Sequence, residues 1–138
     1  MQTQTNNYIV KLRDDGIIHV HYRADTKVTI EILKELEKIY SELTTIKRPY
    51  IFTGEEFVSI TNEARKYAAE MDKQIPSLGS VFVAKNLAQK ILAHYYYKFN
   101  KPVNPLQVVS TFEEAVDYIT TTYELYPLEA SLSDTDMI

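Results

Sequence analysis

The sequence predicts a single α/β domain in which a β-hairpin is followed by repeated β-α units. Residues 80–84 form a short apolar run rich in β-branched side chains, which is typical of a strand buried inside a parallel sheet. From Leu87 onward the apolar period changes from two residues to about 3.6, and residues 106–109 then form a second strand-like run. A strand, a helix and a parallel strand in succession make a crossover, and such crossovers are almost always right-handed.

Two strand-like runs, residues 8–12 and 17–22, precede the repeated units and follow a polar stretch that we expect to be frayed. Asp15 and Gly16 lie between the runs, and an Asp-Gly pair supplies the positive φ angles that tight hairpin turns need. A third strand is predicted at residues 50–53, ending at Gly54, with a loop at residues 55–60.

Four helices are predicted from apolar residues at helical spacing. Asp25 or Thr26 is expected to cap the first helix, and Ser110 with Glu113 forms a capping-box pattern before the last. The element order is therefore β-β-α-β-α-β-α-β-α. The residues expected to face inward are Ile30, Leu33, Leu36, Ile39, Tyr40 and Leu43, then Ala64, Tyr67, Ala68 and Met71, then Leu87, Ala88, Ile91, Leu92, Tyr95, Tyr96 and Phe99, and finally Phe112, Ala115, Val116, Ile119 and Tyr123.

Composition limits the location and the partners. The chain has no cysteine, no run of 18 apolar residues and no leader-like N-terminus, so we expect a cytoplasmic protein without membrane insertion. The net charge of −4 comes from residues 124–138, which hold four acidic and no basic side chains. The remaining residues balance 15 basic with 15 acidic side chains, which argues against nucleic-acid binding. We expect one domain over residues 1–126 and an acidic, flexible tail over residues 127–138.

Four segments point to a known fold family: Ser59-Ile-Thr-Asn-Glu-Ala-Arg, Val81-Phe-Val-Ala-Lys, Tyr97-Lys-Phe-Asn-Lys-Pro-Val-Asn-Pro and Ser110-Thr-Phe-Glu-Glu-Ala. With the element order, they resemble the STAS-like domains of anti-sigma-factor antagonists and related lipid-transfer-like proteins, and more narrowly an uncharacterised bacterial group with that fold. The resemblance covers residues 8–123. It implies a phosphorylatable serine after the strand at 50–53, where Ser59 and Thr61 stand nearest. Val58-Ser-Ile-Thr replaces the usual Asp-Ser-Ser-Gly-like run, and a hydroxyl before a helix commonly caps it.

The candidate functional surface follows from the topology. Loops and helix N-termini gather at the carboxyl ends of parallel strands, where ligands bind in open α/β sheets. The sequence therefore predicts a partner or ligand surface formed by Thr53, Gly54, Ser59, Thr61, Lys85 and Asn86.

Three classes of function stay open. The first is a non-enzymatic regulatory module that binds a protein partner, with a homodimer left open. The second is a carrier for a small apolar ligand or lipid. The third is an enzyme with Thr53, Lys85 and Ser110 in a pocket, although no catalytic constellation or cofactor-binding motif stands out. His19 and His21 share a strand face, but two ligands are too few for a stable zinc site, so no metal is expected.

Overall fold

Strands and helices alternate along the chain after an N-terminal group of strands. The computed structural model describes residues 1–100 and 104–128, apart from the side chains of Tyr97, Phe99 and Asn100. In chain order the elements are β1 (Gln2–Gln4), β2 (Tyr8–Leu12), β3 (Ile18–Tyr22), β4 (Lys27–Val28), α1 (Ile30–Leu43), β5 (Arg48–Gly54), β6 (Ser59–Ile60), α2 (Asn62–Met71), β7 (Ser77–Val83), α3 (Leu87–Asn100), β8 (Leu106–Val109) and α4 (Phe112–Thr122).

The main sheet is mixed, with strand order β1-β2-β3-β5-β7-β8. The first three strands are antiparallel, and the pairs β3–β5, β5–β7 and β7–β8 are parallel. Gly16 turns the β2–β3 hairpin with φ of 91°, a value that only glycine adopts at little cost. The predicted hairpin followed by parallel β-α units is therefore confirmed.

Three short strands were not predicted. The polar strand β1 pairs with β2, where Gln2 lies opposite Lys11, and β4 pairs with β6 in a separate two-stranded sheet. The predicted loop at residues 55–60 thus ends in a strand. These strands are only two or three residues long, which is too short to show an alternation of apolar and polar side chains. Periodicity cannot detect such strands.

Helices α1, α2 and α3 cover one face of the sheet, and α4 covers the other. The first face packs a large core that includes Val10, Val20, Tyr50, Leu36 and Tyr40. The second packs a smaller core of Ile17, Ile51, Val81, Val83, Ala115 and Ile119. Val81 and Val83 therefore face α4, while Phe82 contacts the ring of Tyr96 on the opposite face, as the alternation along β7 predicts.

Two predicted helix caps were wrong by a few residues. Thr29, rather than Asp25 or Thr26, caps α1 and accepts a hydrogen bond from the N–H of Ile32. Thr111, rather than Ser110, caps α4 and accepts from the N–H of Glu114. In both places several hydroxyl or carboxylate side chains precede the helix, and the structure selects the one directly before the first helical residue.

The predicted inner face of α3 was partly wrong. Leu87, Ala88, Ile91 and Tyr95 are exposed, whereas Ala93, which was expected to face away, is buried. Leu92 and Tyr96 are half-buried as expected, and the side chain of Phe99 lies outside the described residues. The apolar arc of this helix is so wide that spacing alone does not fix its rotation about its own axis.

The C-terminal segment stays on the domain beyond residue 126. The N–H of Leu128 donates a hydrogen bond of 2.9 Å to the carbonyl oxygen of Asp14, and its side chain packs against the larger core. Contacts between the C-terminal segment and the rest of the domain therefore extend to Leu128, two residues past the expected domain boundary at residue 126. Residues 129–138, the rest of the predicted flexible tail, lie outside the described residues. Within the described part of the chain, no helix combines the length and apolar character needed to cross a bilayer.

Candidate functional site: an apolar cavity between the sheet and two helices

A cavity of about 750 Å³ lies between the sheet and helices α2 and α3. The sequence places apolar residues on the facing sides of these elements, but the small side chains of Ala68 and Ala93 leave the space between them unfilled. Most of the described wall is apolar or aromatic: Tyr22, Val28, Leu33, Tyr40, Phe52, Val58, Ile60, Ala68, Met71, Ile75, Phe82, Leu92, Ala93, Tyr96 and Leu106. The space is within the size range of small-molecule sites in proteins.

The mouth of the cavity is formed by the loop after β5 and the start of α3. Glu55, Glu56 and Phe57 from the loop and Leu87 from the helix line the cavity and are exposed. Phe57 is 79% exposed and has φ of 63°, in the left-handed region that a bulky residue seldom adopts. The carbonyl of Glu56 accepts a hydrogen bond of 3.0 Å from the N–H of Asp25, which fixes the loop beside this residue.

Several of the polar groups on the residues that line the cavity are tyrosine hydroxyls. Tyr22, Tyr40 and Tyr96 line the cavity, and burial is the main cause that raises the pKa of each phenol above its usual value. These hydroxyls therefore stay protonated and can donate hydrogen bonds. Among the described residues, the buried hydroxyl of Tyr40 has no hydrogen-bond partner. The hydroxyl of Tyr50 likewise has no partner among these residues, and the centroids of the two rings are 5.0 Å apart in a T-shaped arrangement.

Among the described residues, acidic side chains line the cavity and basic ones do not. Asp72 is 8% exposed, and its Oδ2 accepts a hydrogen bond of 2.7 Å from the N–H of Asn104. Glu55 and Glu56 stand at the mouth. None of the described lining residues is Lys, Arg or His. The electrostatic environment is therefore unfavourable for an anion.

Four of the six predicted surface residues come together here. Thr53, Gly54, Ser59 and Asn86 all line the cavity, and Gln89, which the sequence analysis missed, ties their loops together. Gln89 Nε2 donates to the carbonyl of Gly54 at 3.3 Å, while its backbone N–H donates to Asn86 Oδ1 at 2.9 Å. The Asn-x-x-Gln spacing before an apolar helix is a capping-box pattern, so this contact had a detectable sequence signal.

The other two predicted residues do not line the cavity. Thr61 caps α2, where its Oγ1 accepts a hydrogen bond of 3.0 Å from the N–H of Ala64. Lys85 is exposed, and its backbone N–H donates to Gln89 Oε1 at 2.7 Å. The two candidate phosphorylation positions differ in their surroundings: Ser59 is exposed in β6, and Thr61 caps α2. Ser110, suggested with Thr53 and Lys85 for an enzyme, is exposed and does not line the cavity either.

A chain of polar side chains lies on the opposite face of the sheet. Thr53 Oγ1 is 2.7 Å from both His19 Nε2 and His21 Nδ1, and His21 Nε2 is 2.8 Å from Glu55 Oε2. A hydroxyl has a single proton, so it donates to one imidazole and accepts from the other. If neutral His21 donates to Glu55, the Thr53 hydroxyl donates to His21 Nδ1 and accepts from His19. Sequence analysis placed both histidines on one face but did not find these partners.

Burial is the main cause that lowers the pKa of His19 to about 4, and the positive charges of protonated His21, Arg13 and Lys11 lower it further. The ring of Phe112 packs 4.9 Å from the His19 ring and contributes to that burial. His19 is therefore neutral at pH 7. Among residues 1–100 and 104–128, no three His, Cys, Asp or Glu side chains are grouped closely enough to hold a metal ion.

A solved structure shares this architecture. The crystal structure of an uncharacterised protein of the DUF3478 family, with a SpoIIAA-like fold and from Shewanella loihica PV-4, aligns with a TM-score of 0.54 and 10% sequence identity. The alignment covers 86% of this chain and 98% of that one. At this identity the likeness concerns the fold alone. The protein is thus an α/β domain of the SpoIIAA-like, STAS-like fold, as the sequence resemblance implied.

The sequence also assigns the chain to a family. A family model described as a domain of unknown function, DUF7793, matches residues 10–123. The chain belongs to the DUF7793 family. No curated protein matches the sequence.

Proposed function

We propose that the protein is a non-enzymatic binding module that holds a small, mostly apolar molecule in the cavity between the sheet and helices α2 and α3. The observation that carries the proposal is the cavity itself, about 750 Å³ in volume and lined mainly by apolar and aromatic side chains. Protein interiors are otherwise packed as densely as organic crystals, so an apolar space of this size is typical of a ligand site.

The polar groups around the cavity support binding rather than catalysis. Asn86 Oδ1 accepts from the N–H of Gln89, and Asp72 Oδ2 accepts from the N–H of Asn104. These groups are engaged in contacts that hold the strand ends and loops together. A nucleophile would instead need a neighbouring base and a free approach to the substrate.

Titration with the neutral fluorescent probe N-phenyl-1-naphthylamine tests this proposal. Ala68 lines the cavity, whereas Ala69, its neighbour in α2, does not. We expect saturable binding to the unmodified protein and to Ala69→Phe, and loss of binding in Ala68→Phe, whose ring occupies the space. Native mass spectrometry of freshly purified protein would show whether a small molecule co-purifies. The proposal is overturned if the unmodified protein binds no apolar probe, or if Ala68→Phe binds as well as Ala69→Phe.

A second candidate function is protein binding at the mouth of the cavity. Phe57, Leu87 and Ile91 are 79%, 73% and 59% exposed, and together they offer three large apolar side chains to a partner. Glu55 and Glu56 directly precede Phe57, so the partner that fits best is a segment with apolar side chains flanked by basic ones. Such binding would make the domain a regulatory module.

Comparative pull-downs test this second function. Ile46 is also an exposed apolar residue, at 41%, but it precedes β5 and so lies at the opposite end of that strand. A partner of this surface is retained by the unmodified protein and by Ile46→Ala, and is lost by Phe57→Ala and Leu87→Ala. Peptide mapping should then find the predicted apolar and basic segment. Equal retention by all four proteins would refute the assignment of this surface.

A further inference from the structure

We infer that the ligand carries a protonated amino group on an otherwise apolar body, and that this group pairs with the carboxylate of Asp72 in the wall of the cavity. This inference rests on the proposed ligand-binding function and specifies the chemistry of its ligand. It follows from two features of the cavity: a buried carboxylate with an unused oxygen, and the sign of the charge on the lining residues.

The first feature is the carboxylate of Asp72, which follows α2, lines the cavity and is 8% exposed. Asp72 Oδ2 accepts a hydrogen bond from the N–H of Asn104, but Asp72 Oδ1 has no hydrogen-bond partner among the described residues. Within the same part of the chain, Asp72 forms no ion pair. A carboxylate that is removed from water without a cation is costly, so a cation is the partner that this side chain lacks.

Asp72 Oδ1 is open to a molecule in the cavity. Among the described residues, the buried side-chain oxygens that have neither a partner nor accessible surface are the hydroxyls of Tyr40 and Tyr50, so Asp72 Oδ1 keeps some accessible surface. Burial raises the pKa of the Tyr96 phenol, and the nearby charge of Asp72 raises it further. Tyr96 also lines the cavity, so the carboxylate lies close to a ring that the ligand can contact.

The second feature is the sign of the charge around the cavity. The described lining residues include the acidic side chains of Glu55, Glu56 and Asp72, but no Lys, Arg or His. Glu55 accepts hydrogen bonds from His21 and from the N–H of Ala24, whereas the Glu56 carboxylate accepts none from the described residues. Negative groups at the mouth attract a cation and repel an anion. A cationic ligand is therefore favoured both at the entrance and at Asp72.

Displacement of N-phenyl-1-naphthylamine at pH 7 by three eight-carbon compounds tests the inference: octylamine, 1-octanol and octanoate. We expect the unmodified protein to bind octylamine at least about tenfold more tightly than 1-octanol, the effect of one hydrogen bond to a charged group. Octanoate should bind most weakly. Asp72→Asn keeps the shape of the side chain and an oxygen for the N–H of Asn104, so this variant should still bind 1-octanol but lose the preference for the amine.

Two variants and one salt condition are the controls. Glu56→Gln removes a negative charge from the exposed mouth, where water screens it, so the preference for octylamine should persist. Lys101 precedes Asn104 by three positions and lies outside the described residues, and Lys101→Gln should also leave the preference unchanged. In about 1 M sodium chloride, exposed charges are screened beyond about 3 Å. The preference should persist there, because Asp72 is buried.

The outcomes separate this inference from the function on which it rests. If the unmodified protein binds neither the probe nor any of the three compounds, the proposed ligand-binding function fails. If it binds the probe but does not prefer octylamine, the inference is overturned while the binding function stands.

The variants locate the cation. A preference for octylamine that persists in Asp72→Asn, or that disappears in Glu56→Gln or in high salt, would place the amino group at the mouth and overturn its pairing with Asp72. A stronger preference in Lys101→Gln would show that Lys101 already neutralises Asp72, which also overturns the pairing. The ranking of the three compounds and its salt dependence decide even if Asp72→Asn does not fold.

Discussion

Arg48 and Tyr126, which are 78 residues apart in the sequence, are joined by a hydrogen bond of 2.8 Å from Arg48 Nη1 to the carbonyl oxygen of Tyr126. The same nitrogen donates to the carbonyl of Gly16 at 3.2 Å, and Arg48 Nε donates to Thr44 Oγ1 at 3.0 Å. The arginine is 8% exposed, so its donors need these acceptors. One side chain thus links the start of β5, the hairpin turn and the C-terminal segment.

Two truncated chains measure how much these hydrogen bonds contribute to the free energy of unfolding. Removal of residues 126–138 deletes the carbonyl that Arg48 contacts and the backbone bond from Leu128 to Asp14. We expect the free energy of unfolding to fall by about 2–4 kcal/mol, since hydrogen bonds to charged groups contribute about 1.5–3 kcal/mol and neutral ones about 1. Urea denaturation provides the measurement.

The control is a chain that ends at Leu128. It keeps both contacts, so its free energy of unfolding should equal that of the full-length protein within about 0.5 kcal/mol. If the chain that ends at residue 125 is as stable as the control, the bond between Arg48 and Tyr126 contributes nothing to stability. Residues after 125 would then not stabilise the domain.

The neutral His19 predicts a dependence of stability on pH. Burial and neighbouring positive charges lower its pKa to about 4 in the folded protein, against about 6.5 in the unfolded chain. The unfolded state therefore binds more protons between these values, and stability falls as the pH drops from 6.5 towards 4. The slope cannot exceed about 1.4 kcal/mol per pH unit for one group.

His19→Gln isolates this effect, because the amide does not titrate and can still donate to Thr53. We expect the free energy of unfolding of the variant to change less between pH 6.5 and 4.5 than that of the unmodified protein. The comparison stops at pH 4.5 because the hydrogen bond from His21 lowers the pKa of Glu55, which adds its own loss of stability at lower pH. Parallel curves for the two proteins would mean that His19 titrates normally in the fold.

Thr61 and Ser59 should differ in their contributions to stability. Thr61 Oγ1 accepts a hydrogen bond from the N–H of Ala64 at the start of α2, whereas Ser59 is exposed in β6. We expect Thr61→Ala to cost about 1 kcal/mol, the usual effect of losing a helix cap, and Ser59→Ala to cost less than about 0.5 kcal/mol. Thermal denaturation of both variants distinguishes them. Equal losses would show that the cap at Thr61 is energetically unimportant.

The backbone at Phe57 predicts an unusual response to glycine. The φ of 63° is unfavourable for a residue with a Cβ atom, and the side chain is too exposed to gain much from packing. We expect Phe57→Gly to be more stable than Phe57→Ala by about 1 kcal/mol, because both lose the ring but only glycine relieves the backbone. Chemical denaturation of the two variants gives the difference. A more stable alanine variant would indicate that the loop tolerates this conformation without strain.

Most of the fold could be predicted from local patterns. The alternation of Val81, Phe82 and Val83 fixed the two faces of β7, and the spacing of Ala115 and Ile119 identified the buried side of α4. Such patterns are reliable because one face of each element is buried and the other is not. The same reasoning failed for α3, whose Leu87 and Ile91 are apolar but exposed.

The sequence indicated some of the residues that line the cavity, but it did not indicate the cavity. The carboxyl ends of the strands indicated Thr53, Gly54 and Asn86, and these residues do line the cavity. The cavity itself could not be predicted, because its volume depends on how far α3 lies from the sheet and on which side chains fill the gap. Phe82 illustrates the point. Replacing a fully buried phenylalanine by alanine costs about 3–5 kcal/mol, whereas the half-buried ring of Phe82 lies beside an existing cavity, so Phe82→Ala leaves less new space and should cost less.

The position of the cavity on one side of the sheet has a consequence for hydrogen exchange. The core between α4 and the sheet buries Ala115 and Ile119 completely, so we expect the amides around them to exchange mainly through global unfolding. Helix α3 borders the cavity instead, and its amides can exchange through a smaller, local opening. A bound molecule must therefore slow exchange in α3 more than in α4. The two helices report separately on occupancy of the site and on stability of the whole domain.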